Sequence, residues 1–271
     1  MTTPDNLSQL IASSVYQFPR YYAIGYQWNT KEECDFIEAC LEQYRHRKGG
    51  HLLDIGCGAG RHLLEFARRG YQASGLDLRQ EMVSFVHEEA KKAKLNIEAS
   101  VGDLRDMRLT GTFDVAICLM DTFRYLLTNE QIIHHLQTVV AHLAPQGLYI
   151  TDFWAPTQWD QLASEVHQWE QTQDGTTVKV FYVQHPDSVD PVHQTFEDEL
   201  VFQIEEQGGV KEIHGERVRT RLIMPQEFRA LVAASGVFEV AGTFAEFDLA
   251  KPYEQGHLSW RMISVLKKRG R

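Results

Sequence analysis

The chain is poor in cysteine, with four residues in 271 (Cys34, Cys40, Cys57 and Cys118), no C-x-x-C pair and no histidine partner at metal-ligand spacing. That argues against a disulfide scaffold and against a zinc site. Four free thiols are expected, and with them a reducing, cytoplasmic setting. Long apolar runs are also missing: none approaches the roughly 20 residues that span a bilayer, so no membrane partner is expected. The opening "MTTPDNLSQLIASS" has neither the basic region nor the apolar core of a secretory signal. Basic charge is in deficit, with 27 Lys and Arg against 37 Asp and Glu, a net charge of −10. Polyanions are bound by cationic side chains that displace counterions, so nucleic acid is disfavoured as a partner. The 12 histidines form no H-x-x-x-H pair, and no metal is expected. Repeats and Pro- or Ser-rich linkers are absent. What remains, 43% hydrophobic and 11% aromatic, is the composition of a globular protein with a substantial core.

Thr30 and Glu33 read as a T-x-x-E capping box opening a helix closed by Gly49–Gly50. Strands and helices then alternate. "HLLDIG", "YQASGLDL", "NIEASVGDL", "TFDVAICLM" and "LYITDFW" are five expected strands. "RHLLEFARRG", the stretch from about Arg79 to Lys94, and "NEQIIHHLQTVVAHL" are the helices between them; Thr128 and Gln131 cap the last as T-x-x-Q. Such alternation implies right-handed crossovers and a parallel sheet. After Trp154 the pattern changes to strands alone: "TVKVFYVQ", "QTFEDELVFQIEE" and "VKEIHGERVRTRLI", the last two joined by a turn at Gly208–Gly209. A helix from Pro225 to Gly236 and two strands, "FEVAGTFAEF" and "WRMISVLKK", finish the chain. The expected organisation is an N-terminal helical and aromatic cap (1–48), an α/β domain (49–155 and 224–271), and an antiparallel β insertion (156–223) serving as a substrate-side lid.

"LLDIGCGAGRH" (52–62) places glycines at 56, 58 and 60 in the turn between the first strand and the first helix. Glycines there admit φ > 0 and let a ligand approach the backbone at a helix N-terminus, in the crevice beyond the strand ends. The dinucleotide fingerprint G-x-G-x-x-G requires glycine at 61, where this chain has Arg61, which disfavours a nicotinamide enzyme. With Asp54, "DIGCGAG" resembles the class I S-adenosylmethionine-dependent methyltransferases over about residues 50–155. The resemblance implies a Rossmann-like sheet with helices on both faces and S-adenosylmethionine as cofactor. It implies that Asp77 and Leu78 of "GLDL" lie at the ribose, and Gly102, Asp103 and Leu104 of "VGDL" at the adenine. Asp54, Gly56, Cys57, Gly58, Gly60, Leu119 and Tyr22 complete the implied cofactor set. The stretch 118–154 and the β insertion after the fifth strand are most similar to amino-sugar and glycine/sarcosine N-methyltransferases, although Gln146-Gly147 replaces the usual Gly-Gly.

The expected partner is therefore a small-molecule methyl acceptor, with an amine nitrogen favoured; the acceptor and the oligomeric state are not legible. Asp121 and Tyr125, in the loop after the fourth strand, and Asp152, ending the fifth, are the catalytic candidates, because an aspartate suits a developing ammonium. Tyr16, Tyr21, Tyr22, Tyr26 and Trp28 either wall a substrate or pack the N-terminal segment. Arg217, Arg219 and Arg221 share one strand face, either to grip an acidic acceptor or, as the favoured reading, to pair with Glu197 or Glu199 across strands. An RNA or protein methyltransferase is the alternative enzyme, disfavoured by charge and by "MDTF", which is not the N/D-P-P-Y/F type. A non-catalytic cofactor-binding protein is the alternative of another class.

Overall fold

The computed structural model describes residues 14–47, 49–155, 166–207, 209–253 and 259–270. The expectations for the extreme N-terminus, the start of the insertion and Gly208 of the turn lie outside these residues. Helices α1 (Pro19–Gly25) and α2 (Thr30–Cys40) precede the alternating region. Then come β1 (His51–Ile55), α3 (Arg61–Arg68), β2 (Gln72–Asp77), α4 (Gln80–Ala93), β3 (Ile97–Val101), β4 (Phe113–Cys118), α5 (Asn129–Ala141) and β5 (Leu143–Trp154). A second group of strands follows: β6 (Val166–Gln173), β7 (Thr176–Asp190), β8 (Thr195–Glu206), β9 (Gly209–His214) and β10 (Val218–Arg221). Helix α6 (Pro225–Ser235) and strands β11 (Phe238–Phe244) and β12 (Arg261–Lys268) return to the first sheet.

That sheet runs β11-β12-β5-β4-β1-β2-β3, with β1 to β5 parallel and β12 antiparallel between β5 and β11. Strand β4 is apolar on both faces because it is central and covered twice. On one face α5 and α6 bury Leu136, Val139, Phe228 and Leu231 against Tyr149 and Phe153. On the other, α2, α3 and α4 bury Ile37, Leu63, Phe66 and Val86. Each such side chain contributes about 1.5–3 kcal/mol of burial. The parallel strands all end at one edge, so the strand ends bearing Asp54 and Asp77 and the loops bearing Asp103 and Asp121 converge there.

The second sheet is antiparallel, in the order β10-β8-β7-β6, with β9 also on β8. It packs Val178, Val180, Phe202 and Ile204 against α1 and its neighbours Val15 and Tyr26. Here the sequence reading needs correction. "VKEIHGERVRTRLI" is two strands, paired with successive stretches of β8 and broken at Gly215, where a Cβ would lie 2.7 Å from the Leu200 carbonyl oxygen. Arg217 falls before β10; Arg219 pairs with Glu197 at 3.0 Å as expected, but Arg221 turns inward to Asn129 and Glu227. Strand β6 was not anticipated, because "VHQWEQTQ" shows almost no burial pattern; Trp169 anchors it by donating to the Gly25 carbonyl at 2.8 Å.

The T-x-x-Q box of Thr128 and Gln131 is present on α5. The Thr30–Glu33 box is not. Asn29, in the left-handed region, caps α2 without a side-chain bond, and the fully buried Glu33 faces Arg61 and His62 instead. Charge-assisted bonds to two partners outweigh one cap bond. Helix α2 also ends sooner than expected, passing through a π turn at Leu41–Arg45 and stopping at His46, ahead of Gly49–Gly50.

Candidate active site

The loops after β1, β2, β3 and β4 enclose a cleft of about 240 Å³, lined by Gly56, Gly58, Asp77, Leu78, Gly102, Asp103, Leu104, Met120, Thr122, Tyr125 and the N-terminal Tyr16 and Tyr22. The β1 loop is close to the opposite wall. Gly56 has φ 75°, and a Cβ there would meet Thr122 Cγ2 at 2.4 Å. Its amide and that of Cys57 both donate to the Leu76 carbonyl, at 2.7 and 3.0 Å. Gly60, at φ 79°, turns the loop into α3.

Asp77 is held from behind: its Oδ2 accepts from the Gly58 amide at 2.8 Å and its Oδ1 from the Arg79 amide at 2.9 Å. Burial raises its pKa against those bonds. Asp103, nearer solvent, is gripped by the Arg105 guanidinium, which holds it below the ordinary carboxylate range. Beneath the glycine loop an extension of about 40 Å³ is lined by Asp54, Cys57, Arg61, His62, Leu119 and Tyr22, among others. Asp54 is 2% exposed, and its Oδ2 has no hydrogen-bond partner; His62 Nδ1 lies 3.8 Å from it. Burial lifts Asp54 to a pKa of about 7 and lowers His62 to about 4.

The loop after β4 is strained, with Met120 at φ 58° and Asp121 at φ 67°, consecutive non-glycine residues in the left-handed region. Three bonds hold it there. The Asp121 amide donates to Asp152 Oδ1 at 3.2 Å, Asp121 Oδ1 accepts from the Trp154 amide at 2.6 Å, and Oδ2 accepts from Arg124 at 2.8 Å. Arg124, 1% exposed, reaches on to Tyr182, Asp198, Thr220 and the Arg221 carbonyl, locking the loop to the second sheet. The Tyr125 hydroxyl lies 3.1 Å from that of Tyr16. Asp152 is fully buried behind the loop, paired with Arg261 at 3.1 Å, and burial raises it to about 6.

Residues 52–147 match the family described as "Methyltransferase domain". Over those residues the chain carries a methyltransferase domain, on the Rossmann-like fold of the class I S-adenosylmethionine-dependent methyltransferases. A Streptomyces venezuelae dTDP-3-amino-3,4,6-trideoxy-alpha-D-glucopyranose N,N-dimethyltransferase is 29% identical over 116 residues, 43% of this chain and 47% of that protein. The chain thus aligns with about half the length of that curated relative. Two solved structures share the fold across nearly its whole length. The S-adenosylmethionine-dependent methyltransferase from Clostridium acetobutylicum ATCC 824 has a TM-score of 0.72 and 18% identity, over 89% of this chain and 92% of the other. The S-adenosylmethionine-bound CalS10, an amino pentose methyltransferase from Micromonospora echinaspora, has a TM-score of 0.68 and 22% identity, over 96% and 98%.

The residues of this methyltransferase fit its cofactor. Asp54 offers an unpartnered buried carboxylate oxygen to a cationic amine, and Asp77 keeps lone pairs for a vicinal diol. Of the residues singled out in the sequence, Tyr22, Asp54, Gly56, Cys57, Gly58, Asp77, Leu78, Gly102, Asp103, Leu104 and Leu119 line the cleft or its extension. Gly60 shapes the loop without lining it. Asp121 and Tyr125 border the space beyond, whereas Asp152 does not line it and stands behind Asp121, from whose amide it accepts a hydrogen bond. The aromatic cluster divides: Tyr16 and Tyr22 face the cleft, while Trp28 stacks on Tyr26 and packs edge-on against Trp169. Arg124, Tyr182 and Asp198 were missed, since only the fold brings them together.

Proposed function

We propose that this methyltransferase transfers a methyl group to the nitrogen of a small molecule. The observation that carries this reading is the cavity of about 60 Å³ beyond the cofactor cleft, which shares Tyr16, Tyr22, Met120 and Tyr125 with it and is lined on its far side by Asp121, Arg124, Tyr182 and Asp198. It is narrow, aromatic and acidic, suited to an amine and too small for a macromolecular segment. The relative from Streptomyces venezuelae, named for N,N-dimethylation of an amino sugar, and the amino pentose methyltransferase are consistent with it.

Asp54 would hold the amino group of the cofactor, Asp77 its ribose hydroxyls, and Gly102, Asp103 and Leu104 its adenine. Bound there, S-adenosylmethionine supplies a methyl on a sulfonium, already activated for displacement. The protein's work is alignment, worth up to about 7–11 kcal/mol when two reactants are held in register. Tyr16 and Tyr125 stay protonated, because burial raises both pKa values, and they present hydroxyls to the acceptor at the junction of cleft and cavity. Both oxygens of Asp121 are occupied, so it positions the loop, and Asp152 supports Asp121 from behind.

Thermal unfolding with S-adenosylmethionine, S-adenosylhomocysteine, NAD and no ligand tests the site. Ligand at 100 times its Kd adds about 2.7 kcal/mol, a shift of a few degrees for a chain this size. A mass-detected screen of amine, hydroxyl and carbon acceptors tests the chemistry. Binding without turnover of any acceptor class would favour a non-catalytic cofactor-binding protein.

A further inference from the structure

The acceptor cavity is closed on one side by the loop after β4 and on the other by the second sheet, and its charge is unbalanced. Among the described residues, Asp121, Asp198, Glu199 and Glu216 line it, against Arg124 alone among cations. At its buried end the single Arg124 guanidinium serves two carboxylates, Asp121 at 2.8 Å and Asp198 at 3.3 Å. Toward the mouth, Glu216 meets Arg79 at 3.3 Å, and Glu199 meets His185 and His214 at 3.2 Å each. With both carboxylates ionised, one negative charge at the buried end is left without a counterpart; burial raises the Asp198 pKa against that state, and a cationic ligand would favour it.

Asp198 carries the deficit. It is 5% exposed; its Oδ2 accepts from Thr220 at 2.6 Å and from Arg124, while its Oδ1 accepts no aligned hydrogen bond, with the Tyr182 hydroxyl beside it. A buried acceptor left open is unfavourable, the more so when it is charged, and a cationic ligand would relieve it. Tyr16, Tyr22, Tyr26, Tyr125 and Tyr182 line the same space, and aromatic faces attract cations. The guanidiniums lining the adjoining cofactor cleft each face a carboxylate already: Arg79 with Glu216, Arg105 with Asp103, Arg219 with Glu197. A phosphate would have to displace those partners.

We infer that Asp198 determines acceptor specificity: its carboxylate captures a small aliphatic amine as the ammonium ion among the tyrosines and takes the N–H proton, so that the freed nitrogen lone pair attacks the methyl as the C–S electron pair leaves on sulfur, and the proton then passes to solvent. This rests on the methyltransferase reading, and the experiment separates the two. Calorimetry on the protein saturated with S-adenosylhomocysteine compares N,N-dimethylethanolamine, charged at neutral pH, with its neutral isostere 3-methylbutan-1-ol. Wild type is expected to bind the amine at least tenfold more tightly. Asp198→Asn, which keeps the size and an acceptor for Thr220, should cut that preference below threefold without changing affinity for S-adenosylhomocysteine. Equal binding of the two probes, failure of the amine to bind, or an undiminished preference in the variant would overturn the inference. Should the variant not fold, the wild-type comparison still decides. Failure to bind S-adenosylhomocysteine would instead sink the methyltransferase reading itself.

Discussion

Substituting Asp54→Asn tests the cofactor site most directly, because it removes the one buried carboxyl there with an oxygen left unpartnered. In the cofactor-free protein burial raises Asp54 from an ordinary 3.8 to about 7. The folded chain then holds this proton more tightly than the unfolded chain. Its stabilising contribution is complete below about pH 4 and is lost as pH rises through 7. Three pKa units correspond to about 4 kcal/mol. His62, lowered to about 4, has the opposite sign, since stability is lost as pH falls from 6.5 toward 4. The contributions of these two groups nearly cancel between pH 4 and 6.5. Asp54→Asn should expose the His62 slope, with stability rising with pH over that range. Binding gives a second readout. A ligand ammonium needs the ionised carboxylate, whose fraction rises from about a tenth at pH 6 to about nine-tenths at pH 8 for a group half-ionised at 7. The Kd of S-adenosylhomocysteine should therefore fall about tenfold over that interval. Asp54→Asn should abolish this dependence and weaken binding at pH 8 by 10- to 100-fold, the loss of a charged hydrogen bond of about 1.5–3 kcal/mol. Calorimetry at pH 6, 7 and 8 on both proteins measures it, the variant accounting for the ligand's own titration. The same pH slope in both would refute the assignment.

Arg124→Met leaves Asp121 and Asp198 without their shared partner and should cost about 3–5 kcal/mol in urea unfolding; a loss under 1 kcal/mol would show that the link between loop and second sheet is not structural. Gly56→Ala places a Cβ 2.4 Å from Thr122 Cγ2 at positive φ, and should weaken S-adenosylhomocysteine more than tenfold. Adding Thr122→Ser removes that methyl, keeps the hydroxyl for its bond to Leu119, and should recover part of the affinity; no recovery would mean the backbone conformation alone is responsible. Tyr125→Phe breaks the hydroxyl pair with Tyr16 and should lower kcat several-fold while leaving cofactor affinity and, within about 1 kcal/mol, stability unchanged. A fall in cofactor affinity as large as that in kcat would place Tyr125 in cofactor binding instead.

The parts legible in the sequence are those in which neighbours along the chain decide the outcome. A buried central strand such as "FDVAIC", a capping box at Thr128, and glycines spaced for a strand-to-helix turn each carry their reason within a few residues. The residues misread or missed answer to partners far away. Glu33 has the spacing of a cap, yet Arg61 and His62, 28 and 29 residues on, draw it into the interior. Strand β6 exists because β7 and Gly25 receive it, although almost nothing in its own pattern distinguishes a buried face. Arg124 and Asp198 stand 74 residues apart, one in the loop after β4 and the other on the second sheet. That division follows the division of labour in the molecule. Cofactor recognition is built at the ends of consecutive parallel strands, where local sequence and fold coincide. The proposed acceptor cavity lies where the second sheet closes over the first, and its side chains meet only after both have folded. Changes to β8 and β10 can therefore alter the acceptor while leaving the glycine loop and its carboxylates intact, and Asp198, on β8, is where such a change would act first.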